Sequence, residues 1–139
     1  MSVDRKTTDA VWTAALAHDR GWSDGALRAI FLDRSRAVLL TIGFDEGTDD
    51  VDELFLRHLV ATVTDLALAA VVFAVLRADG RPTRVDRRLS RELRHRLADG
   101  STHLLDVIVV NQERGWSAVQ SKAFSSAATR CPERTAPSM

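Results

Sequence analysis

Cysteine is all but missing from this chain. The one present, Cys131, lies in a polar tail without an intrachain partner, so there is no disulfide framework and no support for secretion. A reducing compartment is the simpler expectation. Long apolar runs are missing too: nothing approaches the roughly 18 apolar residues of a membrane span. The N-terminus, Met1 to Lys6, leads into a polar helix instead of an apolar signal core. We therefore expect a cytoplasmic protein with no membrane association. Net charge is absent, with 19 basic residues against 19 acidic ones. No global field draws the chain to nucleic acid or anionic lipid, and only local asymmetry can do so. Lysine is scarce (Lys6, Lys122) and arginine abundant, a bias expected of a GC-rich bacterial genome. The 139 residues have ordinary apolar and charged fractions and suit one domain with one core.

Catalytic signatures are also lacking. His18, His58, His95 and His103 stand singly, with no His-X-X-X-His or Cys-X-X-Cys spacing to hold a metal. Gly43, Gly47 and Gly80 form no phosphate-binding fingerprint, and no Gly-Lys-Ser/Thr follows any of them. Ser90, Ser101 and Ser117 lack a nucleophile-elbow context, and the tail around Cys131 cannot preorganise it. The expectation is no catalytic residue, no metal and no cofactor.

What is present centres on Ala70 to Trp116. Ala70 to Leu76 is an unbroken apolar run, long enough for a buried strand and short for a helix. The Asp79-Gly80 and Pro82 turn signals stop it. Val85, Leu89, Leu93 and Leu97 then recur every four residues among arginines, which predicts a helix with a narrow apolar stripe. Asp99-Gly100 ends that helix, Leu104 to Val110 predicts a second strand, and Asn111 to Gly115 turns it into a short strand from Trp116 to Val119.

Upstream, Thr8-Asp9 predicts the N-cap of a first helix running to about Asp19, with Val11, Trp12, Ala15 and Leu16 on one side and Gly21 as its stop. Trp12 and Trp22 read as core anchors in preference to a dimer contact. Leu27–Leu32 and Ala37–Phe44 predict a hairpin turning at residues 33–36, its apolar runs implying strands covered on both faces. An acidic segment, Asp45 to Glu53, feeds a helix from about Val51 to Leu68 with Val51, Leu54, Phe55, Leu59, Val63 and Leu66 near one face. Its carboxylates suit helix capping better than metal binding. Residues 1–120 are expected to form the domain, and 121–139, rich in Ser, Ala, Thr and charge, a disordered tail.

The succession helix, hairpin, long helix, strand, loop, helix, strand, short strand resembles the JAB/MPN domain of the RadC-like family over roughly Leu27 to Val119. Ala29 to Arg36 is similar to that family's first hairpin, an apolar strand ending in Leu-Asp and a basic or polar turn. Leu104-Leu105-Asp106-Val107-Ile108-Val109-Val110, with Gly115-Trp116-Ser117 behind it, resembles its closing Leu-Leu-Asp-His-Ile-Ile-Val strand and Gly-Tyr-X-Ser turn. Gly80-Arg81-Pro82-Thr83 matches the tail of its metal loop, His-X-His-Pro-Ser-Gly-Asp-Pro-Thr. The resemblance implies an α/β fold of the JAB/MPN (cytidine-deaminase-like) kind, a three-layer arrangement with a small mixed sheet flanked by helices.

The resemblance also locates the family's zinc, and there the chain departs from it. The two histidines fall on Val75 and Arg77, and neither an alkyl group nor a permanently protonated guanidinium donates a lone pair to zinc. The third ligand falls on Asp86, in a segment about two residues shorter than the family's, and N-terminal capping of its own helix is the expected role. The family's catalytic glutamate falls among Leu40, Thr41, Ile42 and Gly43, with Glu46 nearby in the acidic loop. The resemblance thus implies a pseudoenzyme.

The remaining candidate site is the arginine-rich helix. With its apolar stripe inward, Arg84, Arg87, Arg88, Arg91 and Arg94 take the solvated faces. They suit a phosphate backbone, a protein partner, or a plain solvated face paired with the acidic segment within the molecule or across a homodimer. No aromatic residues are interleaved for base stacking, which lowers the single-strand option. Three functions follow. The leading one is a non-catalytic scaffold or interaction module with an unknown protein partner. The alternative is a nucleic-acid-associated accessory protein, and the third is an enzyme using Asp79, Asp86 and Glu46.

Overall fold

A computed structural model of the protein describes residues 5–17, 24–44 and 52–125. In chain order the elements are α1 (Arg5–Leu16), β1 (Leu27–Leu32), β2 (Val38–Phe44), α2 (Glu53–Leu66), β3 (Ala70–Leu76), α3 (Arg84–Arg96), β4 (His103–Val110), β5 (Arg114–Ser117) and β6 (Lys122–Ser125). The strands form one sheet in the order β2-β1-β3-β4-β5-β6. Only β3 and β4 run parallel, joined by α3 as a crossover, while every other neighbouring pair is antiparallel.

The apolar runs explain the layering. β1 and β3 lie inside the sheet and bury every residue, so each must be apolar on both faces. One face packs Phe31, Phe73 and Val107 against Phe55, Leu59 and Val63 of α2 and Leu89 and Leu93 of α3. The other packs Ile30, Val72 and Ile108 against Val11, Trp12 and Ala15 of α1. The result is the expected α/β arrangement in three layers, a mixed sheet flanked by helices and compatible with the JAB/MPN fold.

Local chemistry sets the ends of the elements. The hairpin turn is organised by Asp33, whose Oδ1 accepts hydrogen bonds from the Ser35 amide and hydroxyl and from the Ala37 amide. Led by the Ser35 hydroxyl, these bonds hold the Asp33 carboxyl below its ordinary pKa. Asp52 is the N-cap of α2, accepting from the Phe55 amide at 2.8 Å, as expected for this acidic start. On the α1 side, Trp12 is buried and donates Nε1–H to the Asn111 carbonyl at 2.8 Å, the core anchor predicted for it. The buried Arg28 donates to the Ala15 carbonyl.

Several expectations need correction. α1 begins at Arg5, ahead of the expected cap at Thr8-Asp9, and ends at Leu16 instead of near Asp19; Gly21 and Trp22 lie outside the described residues. β2 is an edge strand and only half covered, with Leu39 48% exposed. Its apolar run implied two covered faces because a run cannot tell an edge strand from a central one. In α2, Leu56 takes the inward place expected of Leu54, which is 74% exposed, and Leu66 in the last turn is exposed as well. Leu59 and Val63 point to the sheet, and at about 100° per residue Leu54 falls nearly opposite them. Finally, order extends past Gln120: residues 122–125 form β6, anchored by Phe124, which meets Trp12 edge-on at 5.0 Å. Gly115 lets that ring lie on β5, since a Cβ there would approach Phe124 to 2.6 Å. Residues 126–139 lie outside the described residues.

Candidate functional site

The candidate residues fall in two regions: the loop at the C-terminal ends of the parallel strands, and the outer face of α3.

The loop begins where β3 ends. Arg77 is buried, and its guanidinium grips Asp86 with both prongs, Nε to Oδ2 at 2.9 Å and Nη2 to Oδ1 at 2.7 Å. Asp86 is fully buried in the first turn of α3. Its Oδ2 also accepts from the Thr83 amide at 2.9 Å while Thr83 Oγ1 accepts from the Asp86 amide at 3.1 Å, a complete capping box. One carboxylate therefore caps the helix and neutralises a buried arginine, which is how a buried charge is tolerated. The hydrogen bond to Asp86 holds the Arg77 guanidinium above its ordinary pKa. Asp24 completes the arrangement, lying 3.5 Å from Arg77 Nη1 and accepting from the Ala78 amide at 2.7 Å.

The same loop is tied to the sheet. The Arg77 amide donates to the Val110 carbonyl at 3.1 Å, and Asn111 Nδ2 donates to the Ala78 carbonyl at 2.9 Å. Gly80 has φ +67°, and a Cβ there would come within 2.9 Å of the Arg114 carbonyl oxygen, so both conformation and space call for glycine.

This geometry does not fit zinc at the positions given by the resemblance. Val75 is a fully buried alkyl side chain, and Arg77 presents N–H donors that already occupy both oxygens of Asp86. Leu40, Thr41, Ile42 and Gly43 offer no carboxylate, and Glu46 lies outside the described residues. Among the described residues, no three His, Cys, Asp or Glu side chains gather as a metal site. The carboxylates of the third function do not cooperate either: Asp86 is committed to Arg77, and Asp79 accepts from the Arg81 amide at 3.0 Å in its own turn. The expected cap at Asp86 is present, but its pairing with Arg77 was not foreseen. No short motif announces a salt bridge between residues 77 and 86.

Asp106 is a second buried carboxylate with a structural task. Burial pushes its pKa up, although Ser117 Oγ donates to its Oδ2 at 2.5 Å and the Val107 and Val119 amides donate to its Oδ1. It fastens β4 to the turn after β5.

The outer face of α3 is the opposite case. Asp86, Leu89, Ser90 and Leu93 point inward, while Arg84, Arg87, Arg88, Arg91 and Arg94 are all exposed. Their i, i+3, i+4, i+7, i+10 spacing makes one ridge about 15 Å long. Among the described residues, none of the five takes part in an ion pair. The nearby acids are used elsewhere: Glu53 holds Arg96 at 2.7 Å and Arg57 at 3.2 Å, and Glu92 holds Arg96. Pairing between the acidic segment and the basic helix thus reaches Arg96 and bypasses the five; Asp45 to Asp50 lie outside the described residues. Arg87 does have a neighbour that was missed. Its guanidinium carbon lies 5.2 Å from the ring centroid of Trp116, a cation–π contact. Trp116 is 29 residues further along and comes beside α3 only through the sheet order, so the sequence of the helix itself carries no sign of it.

No family model matches the chain. Among curated proteins it is similar to the UPF0758 proteins. It is 31% identical over 96 residues to one from Shewanella amazonensis, an alignment covering 63% of this chain and 43% of that protein. It is 31% identical over 107 residues to another from Shewanella denitrificans, covering 70% and 47%, and 30% identical over 95 residues to one from Vibrio cholerae, covering 63% and 60%. The chain spans about half the length of the curated relatives it matches. The class is therefore an α/β protein with a mixed six-stranded sheet, and within it these likenesses support a relationship to the RadC-like family. Among the described residues, no helix is long and apolar enough to cross a membrane.

Proposed function

We propose that this chain is a non-catalytic RadC-like JAB/MPN domain that serves as a protein-interaction or scaffold module in the cytoplasm. The observation carrying this reading is the Arg77–Asp86 pair, in which a buried guanidinium saturates the carboxylate aligned with a zinc ligand. With Val75 beside it, the loop presents hydrocarbon and N–H donors where zinc chemistry needs lone pairs. Such a loop keeps the fold closed and leaves function to the surface. The test is metal analysis of protein purified without chelators, together with mass spectrometry of what co-purifies. The expected result is no stoichiometric zinc and a discrete partner protein at fixed ratio; stoichiometric zinc overturns the reading.

A second reading, a nucleic-acid-associated accessory protein, is favoured by one observation: five exposed arginines on one ridge without ion pairs among the described residues. Phosphates would supply the counter-charge.

A further inference from the structure

We infer that the β2 edge of the sheet pairs with the β2 edge of a second copy of this chain, the two strands antiparallel about a two-fold axis, so that Leu39 of each copy covers Leu54 of the other. This goes beyond both readings above and depends on neither.

β2 hydrogen-bonds to β1 on one side, and among the described residues no strand pairs with its other side. Alternate residues of such an edge send N–H and C=O groups outward, a template for another strand. Edges are normally protected by shortness, charge, proline or a bulge. β6, the opposite edge, is four residues long and carries Lys122. β2 is seven residues long, Val38-Leu39-Leu40-Thr41-Ile42-Gly43-Phe44, without charge or proline. Its one irregularity is a bulge: Leu32 pairs with Val38 and Phe31 with Leu40, which leaves Leu39 as the extra residue and Leu40–Phe44 regular.

The exposed leucines identify the occupant. Leu39, 48% exposed, stands at the start of β2. At the other end, Phe44 meets His58 of α2 edge-on at 5.5 Å, and Leu54, 74% exposed, lies one turn before His58 on the same side of that helix. The opposite flank of α2 is taken by α3, through Glu53 and Arg96. One edge thus carries an unburied leucine at each end. Antiparallel pairing sets the start of one strand beside the end of the other, and a two-fold axis makes the contact reciprocal, each Leu39 with a Leu54. Charge agrees with this polarity. Arg34 is exposed at the Leu39 end and Asp52 at the Leu54 end, so the copies meet with opposite charges at each end and none opposed along the strands.

The test is sedimentation velocity of the full chain over a micromolar concentration series, with each variant checked for folding by circular dichroism. Leu39 and Leu54 are exposed, so their replacement leaves the core intact. The wild type is expected to sediment as a dimer at the upper concentrations. Leu39→Lys and Leu54→Glu should each raise the dimer dissociation constant by about tenfold or more, because each leaves an unmatched charge against a leucine. Leu39→Lys/Leu54→Glu should dimerise more tightly than either single variant, since the two new charges then face each other across the interface. Arg88→Ala/Arg91→Ala/Arg94→Ala, on the outer face of α3, should leave the dissociation constant unchanged.

A monomeric wild type throughout the series overturns the inference. So does a dimer indifferent to Leu39→Lys and Leu54→Glu, a double variant weaker than both singles, or a dimer dissolved by the triple-arginine variant.

Discussion

The two sides of α3 use charge in opposite ways. On its inner side Arg77 meets Asp86 in a dry setting with 2.7 and 2.9 Å hydrogen bonds, and every polar atom of that carboxylate has a partner. On its outer side five arginines stand exposed, the only partner found for them among the described residues being the Trp116 ring. Arginine is the same group in both places, but burial decides its role. An inward guanidinium must be matched and so becomes part of the fold, whereas an outward one remains available for a ligand.

Breaking the inner pair should have the largest effect. Arg77→Met leaves Asp86 buried without its counter-charge and is expected to destabilise the protein by about 3–5 kcal/mol in chemical denaturation. Arg77→Met/Asp86→Leu should recover a large part of that loss, because it removes both charges together, although the capping box stays broken. Gly80→Ala comes next, at about 1–3 kcal/mol, since a side chain at φ +67° is strained and its Cβ meets the Arg114 backbone. Thr83→Ala, which removes the N-cap oxygen, should cost about 1 kcal/mol by the same measurement.

A smaller effect separates the surface pair from the buried one. Glu53 is held down to about 2, first by its hydrogen bond from Arg96, from an ordinary value of 4.5. A lowered carboxyl pKa in the folded state contributes stability above 4.5 that is lost as the pH falls towards 2. The difference in melting temperature between the wild type and Glu53→Gln should therefore shrink over that window, and it should be modest because the pair is solvated. Smallest of all, Arg88→Ala/Arg91→Ala/Arg94→Ala should change stability by no more than about 0.5 kcal/mol per residue. A large loss there would erase the contrast between the two sides.

Much of this was legible in the sequence, for identifiable reasons. Ala70–Leu76 has the length and uniform apolarity of a doubly covered strand, and β3 occupies those residues. Asp79-Gly80, Thr83 and Asp86 carry turn and cap chemistry that acts within a few residues, so the start of α3 could be read locally. What escaped was non-local. The Phe124 anchor of β6 and the Trp116 flank of α3 depend on which strands become neighbours, and the grip of Arg77 on Asp86 depends on a loop folding back on itself. Leu54 reads as inward in the sequence because α2 is apolar on more than one side, and only packing against the sheet selects Leu56 in its place.

A guanidinium, and not a metal, satisfies Asp86. The most direct test is the melting temperature of the chain with chelator and with micromolar zinc. A native-state metal site would stabilise the fold by about 2.7 kcal/mol at a hundredfold excess over its dissociation constant. With Arg77 on Asp86, the melting curves should superimpose in the two conditions; a rise of several degrees with zinc, reversed by chelator, would mean that a metal binds the folded chain.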